Sequence, residues 1–181
     1  MTSGPAGPAA RLLARGLGVP LVALVCCGFG SQAPERPQEV EVPGLGIMLK
    51  AGWQLLFHDR CRFAVPVSWH PDPDEAFARA PDGSTFSIQM LKVTNWSAHK
   101  ADMRGAFSRA RVVHDESDRR LWLEADEGAW VRHYIAVADH ASVCAGWLEM
   151  RVASSWNTKD TVKRVADSIG LAPDTWPLEE K

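Results

Sequence analysis

The chain has 181 residues, of which 46% are hydrophobic and 23% charged, the composition of one folded domain with extensions. Its 20 basic and 22 acidic residues leave a formal net charge of −2. That balance excludes a basic nucleic-acid footprint and a long polybasic segment for anionic lipid.

Arg11 and Arg15 precede an apolar stretch running from about Leu17 to Val25, and no acidic residue appears before Glu35. A positive start, a short apolar core and small residues after it describe a secretory signal over residues 1–30. The core is too short for a spanning helix, which needs about 20 apolar residues. Gly28-Phe29-Gly30 before Ser31 suits ordinary signal peptidase. Leu24-Val25-Cys26-Cys27 reads instead as a bacterial lipoprotein signal ending at Cys26 or Cys27, with Cys27 the candidate lipidation site and Cys at the third position atypical. A third reading leaves both cysteines as apolar members of the signal core. Residues 31–43, rich in Pro, Glu and Gln without apolar periodicity, read as an extended linker.

From Gly44 the pattern turns strand-like. "WQLLFH" and "CRFAVPVSW" read as two strands around a His58-Asp59-Arg60 turn, with Cys61, Phe63 and Val65 on one face. "EAFARAPDGSTFSIQMLKV" reads as a hairpin turning at Asp82-Gly83, where glycine tolerates the positive φ of a tight turn. A helix is expected over about Ser97 to Ala110, with Trp96, Met103, Phe107 and Ala110 in one stripe. "ARVVHD", "RRLWLEA", "WVRHYIAVA" and "SVCAGWLEMRVA" follow as strands, the last two joined through Ala138-Asp139-His140-Ala141. A closing helix carries Val162, Val165, Ala166 and Ile169, with Asn157 as N-cap and Gly170 as C-terminal stop.

Strands joined by short turns pair antiparallel, so one antiparallel sheet with helices packed against it is expected, an α+β domain over 44–175 with a tail at 176–181.

Two cysteines remain after the leader. Cys61 shares a face with Phe63 and Val65, and Cys144 has the parity of Leu148, Met150 and Val152. In an oxidising compartment two cysteines facing the core are candidates for a disulfide, worth roughly 3–5 kcal/mol for so long a loop. The alternative is two separate buried thiols.

Chemistry is harder to find. The six histidines, His58, His70, His99, His114, His133 and His140, form no metal-binding pair, and no catalytic residue, metal site or cofactor is expected. No Gly-x-Ser-x-Gly elbow or Gly-rich phosphate loop occurs. His133 invites a base role beside a carboxylate, against the plainer reading of a partly exposed sheet residue. Glu124-Ala125-Asp126-Glu127 reads as a solvated turn rather than a calcium loop. By parity against their neighbours, Trp122, Trp130 and Trp147 are expected to share the second face of the sheet. A helix covering them is the plain reading, and an aromatic binding face the sharper one.

At "FAVPVSW", followed by "PDGSTFSIQM" and closed by "TVKRVADSIGL", the chain resembles the PsbP-like superfamily over about Gly46 to Leu171. The resemblance implies an antiparallel sheet between helices, an α/β/α sandwich with tryptophans on both faces, and a binding or assembly role rather than catalysis. No site residue transfers with it. The expectation is therefore an exported cell-envelope protein, periplasmic or lipid-anchored, that binds another envelope protein, with no nucleic-acid partner and membrane contact only through an anchor. The alternatives are a small hydrolase with a noncontiguous Ser/His/Asp site and a carrier of apolar ligands.

Overall fold

The computed structural model describes residues 39–72 and 76–173. The expected leader with Cys26 and Cys27, and the expected tail, lie outside the described residues. Two hairpins open the described chain: β1 (Glu39–Val42) with β2 (Ile47–Lys50), and β3 (Trp53–His58) with β4 (Cys61–Pro66). β5 (His70–Asp72), β6 (Phe77–Arg79) and β7 (Thr85–Lys92) follow. Then come α1 (Trp96–Ala106), β8 (Arg111–Glu116), β9 (Arg120–Asp126), β10 (Trp130–Asp139) and β11 (Ser142–Arg151). The described chain closes with α2 (Lys159–Ser168) and β12 (Gly170–Leu171). The result is a β-rich α+β fold.

The single sheet expected from sequence is in fact three. Seven strands in the order β5-β6-β7-β11-β10-β9-β8 form the main sheet, β12-β4-β3 a smaller one, and β1-β2 a separate ribbon. β3 and β4 close on each other through Asp59 at φ 51°, and the free edge of β4 takes β12 rather than a strand of the main sheet. Part of the segment expected to be linker, Glu39–Val42, is the strand β1.

Alternation builds both faces of the main sheet. On one face Leu121, Leu123, Tyr134, Ala136, Val143 and Ala145 pack against Trp96, Met103 and Phe107 of the α1 region. On the other, Phe86, Ile88, Ile135, Leu148 and Met150 meet Phe63, Val65 and Trp69, together with Val162, Val165 and Ala166 of α2. Each fully buried Val, Leu, Ile, Phe or Met side chain among them contributes roughly 1.5–3 kcal/mol. This face is thus covered by the small sheet and α2 jointly.

Both helix ends of α2 differ from expectation. Thr158, not Asn157, is the N-cap, its side chain accepting from the Thr161 N–H at 3.1 Å. Gly170 does not terminate α2 in a left-handed turn. The helix ends at Ser168, and Gly170 pairs with Arg62 in the small sheet, where a Cβ would lie 3.1 Å from Arg62 Nη2. α1 is shorter than its apolar stripe, stopping at Ala106 while Phe107 and Ala110 still pack below it.

Candidate functional site

β9 lies between β8 and β10, with Val112 opposite Leu123 and His133 opposite Glu124. The first turn of α2 passes over the face that carries Trp122 and His133. Between them is an open cleft of about 540 Å³. Arg111 and Val113 of β8, Trp122 and Glu124 of β9, and Val131 and His133 of β10 form its sheet side. Residues 157–159, with Val162 and Lys163, form its helix side.

His133 is 3% exposed. The expected partly exposed sheet histidine is therefore a buried one, because its strand position faces α2 rather than solvent. The Trp122 indole N–H donates to His133 Nδ1 at 3.3 Å, and the two rings meet edge to face with centroids 6.0 Å apart. Accepting that bond requires a bare Nδ1, so the neutral imidazole carries its proton on Nε2. Nε2 is buried and has no hydrogen-bond partner among the described residues, a deficit that costs about 1–3 kcal/mol when a donor is left unmet. Burial pulls the His133 pKa down to about 4, with the Glu124 carboxylate opposing and Arg111 adding to the shift. Glu124 Oε2 stands 3.7 Å from Nδ1, and its Oε1 accepts from Arg111 at 2.8 Å.

The cleft is apolar at its centre and cationic at its rim. Arg111 is committed to Glu124, and Lys163 to Asp167 one turn along α2. Lys159 has no ion pair among the described residues and occupies the first position of α2. A cation there opposes the positive end of the helix dipole.

A second cleft of about 540 Å³ contains Arg62, Arg119 and Arg120, but Glu116, Asp118, Asp139 and Asp167 line it too. Arg120 donates to Asp167 at 3.3 Å. Its charges are balanced from within. Among the described residues, no hydrogen bond joins a serine to a histidine, and no group of three His, Cys, Asp or Glu side chains is placed to hold a metal.

The residues singled out from sequence are scattered. Cys61 and Cys144 are joined by a disulfide with Cα atoms 5.5 Å apart. The three tryptophans do not share a face. Trp122 packs with the α2 side of the main sheet, whereas Trp147 packs with the α1 side, 5.4 Å from the Tyr134 ring. Trp130 stacks beneath the Arg151 guanidinium at 5.2 Å. Parity fails here because both faces of the sheet are apolar, so a leucine neighbour does not say which face is which. Glu124 and Asp126 belong to β9, and Glu127 pairs with Arg132 at 2.8 Å, so the acidic stretch is a strand end rather than a turn. His133, Glu124, Arg111 and Lys159 were not legible as a group, since three strands and a helix bring them together.

No family model matches the chain, and no curated protein matches it. Among solved structures it is similar to the solution structure of cyanobacterial PsbP (CyanoP) from Synechocystis sp. PCC 6803, at 15% identity. The match covers 73% of this chain and 98% of that one, with a TM-score of 0.45, and is a likeness of fold.

Proposed function

We propose that this chain is an exported, non-catalytic binding protein of the cell envelope, and that the cleft between β8–β10 and α2 is where it binds. The observation that carries this reading is the cleft itself: Trp122, Val131 and Val162 around a buried histidine that has an unused donor. Its volume falls within the roughly 300–1,000 Å³ of small-ligand sites. The Cys61–Cys144 bridge supports an oxidising compartment, as does the leader-like pattern before Ser31. A hydrolase finds no support in the described side chains, since the buried histidine faces an indole and a carboxylate but no nucleophile.

Binding is tested with N-phenyl-1-naphthylamine, a neutral apolar fluorophore. Its emission is expected to rise on mixing with the oxidised protein and to fall back in a Val131→Glu variant. No rise, or a rise unchanged by the variant, removes the cleft as a binding site. Export is tested by the intact mass of the chain made with its own leader in a bacterial host. A start at Cys27 with a diacylglycerol increment gives an anchored protein, and a start near Ser31 a soluble exported one. An uncleaved chain overturns the export reading.

A further inference from the structure

We infer that the α2 cleft selects an anionic amphiphile: a carboxylate or similar oxyanion carried on an apolar body. This rests on the reading of the cleft as a binding site and goes on to state the charge of its occupant.

Three features point the same way, the last two through Lys159. The first is the unmet donor. Trp122 holds His133 in the tautomer that presents N–H at Nε2, and nothing in the described protein accepts from it. A ligand oxygen satisfies that N–H, whereas a ligand ammonium or an all-carbon group leaves it unmet. The second is charge. Three cations, Arg111, Lys159 and Lys163, face one carboxylate, Glu124, across the cleft, while His133 is neutral at physiological pH. Arg111 and Lys163 are already engaged, which leaves Lys159 as the cation available to a guest. The third is that Lys159 sits where it is locally unfavourable. The first turn of a helix favours acidic side chains, and a lysine there is disfavoured by the dipole. An oxyanion bound beside it reverses that penalty. Val131, Val162 and the Trp122 ring provide the apolar wall against which the body of the ligand lies.

The probes are decanoate, decan-1-ol and decylammonium, titrated separately into the oxidised wild-type protein. Binding is read from the Trp122 indole and Lys159 amide NMR signals. Decanoate is expected to move both signals and to bind at least tenfold more tightly than the alcohol. Lys159→Met, an exposed change in α2, is expected to weaken decanoate severalfold and leave the alcohol unaffected. Equal affinity for acid and alcohol at those signals overturns the anionic selectivity while leaving the cleft as a binding site. Preference for decylammonium overturns it with the opposite sign. If none of the three ligands moves the cleft signals, the anionic selectivity and the reading of the cleft as a binding site fall together.

Discussion

Cys61 and Cys144 tie β4 of the small sheet to β11 of the main sheet, across the layer of side chains that both sheets bury. The two residues are separated by 83 positions, so their bridge closes most of the domain into one loop. For a loop of that length the chain-entropy model gives about 4.5 kcal/mol of stabilisation through the unfolded state. Replacing both cysteines with alanine is expected to lower the urea midpoint accordingly, less whatever structure the reduced unfolded chain retains. In the wild-type protein, neither thiol should react with an alkylating reagent until the protein is reduced and unfolded, because both are fully buried. Alkylation of the native, unreduced protein at either position contradicts the bridge.

His133 makes stability fall in acid by a calculable route. Its pKa is about 4 in the folded protein, against an ordinary value of 6.5, chiefly because burial disfavours the charged ring. The unfolded chain therefore binds a proton first. The stability contribution is complete above pH 6.5 and is lost as the pH falls through that value towards 4. The loss from this one residue amounts to roughly 3 kcal/mol by pH 4. Comparing the wild type with His133→Gln by chemical denaturation at pH 7 and pH 4.5 isolates the effect. The variant should show the shallower pH dependence, and identical slopes would contradict the buried neutral imidazole.

Trp122→Phe tests the tautomer separately. Phenylalanine keeps most of the aromatic wall but removes the indole N–H that occupies His133 Nδ1. Nδ1 is then free to take a proton, with Glu124 Oε2 3.7 Å away to stabilise it. The His133 pKa should rise, as read from the pH dependence of its ring carbon NMR signals. An unchanged or lower value would show that the indole does not set the protonation state.

Ser168 fastens α2 to the small sheet. Its hydroxyl accepts from the Ala64 N–H at 2.7 Å and donates to the Val165 carbonyl at 2.7 Å, all within the interior. Ser168→Ala strands the Ala64 N–H, a loss of about 1–3 kcal/mol. Amide exchange at Ala64 should accelerate more than exchange in the centre of β10. Uniform acceleration across the domain would indicate global destabilisation rather than loss of this particular contact.

Gly146 marks a close approach in the core. A Cβ placed there would lie 2.9 Å from the Phe86 ring and 3.0 Å from Ile169 Cδ1. Phe86 is fully buried and has nowhere to retreat. Gly146→Ala should therefore cost about 1–3 kcal/mol by overpacking, against a small gain in strand propensity. A variant as stable as the wild type would mean that the Phe86 ring can shift.

The local elements could be read along the chain because each depends on neighbours in sequence. The β10–β11 hairpin follows from alternation, though its loop is only His140-Ala141, since Ala138 and Asp139 of the expected turn still pair with Val143 and Ser142. The Asp82-Gly83 turn follows from glycine at φ 88°. Cys61 and Cys144 could be proposed as partners because only two cysteines follow residue 30 and both share parity with core residues. Helix ends were harder. Asn157 and Thr158 are both good caps, and only the hydrogen bond to Thr161 separates them.

What only the tertiary structure decided is which of two apolar faces each residue meets. Alternation says that Trp122 opposes Leu121 and Leu123, but both sides of this sheet are buried, one by α1 and the other by α2 and the small sheet. Strand register then sets Trp122 beside His133 and sends Trp147 to Tyr134. The cleft follows from the same long-range packing. Arg111, Trp122 and His133 lie on three strands, and Lys159 joins them only because α2 docks across that face, a placement fixed by burial of Val162, Val165 and Ala166 rather than by any local pattern.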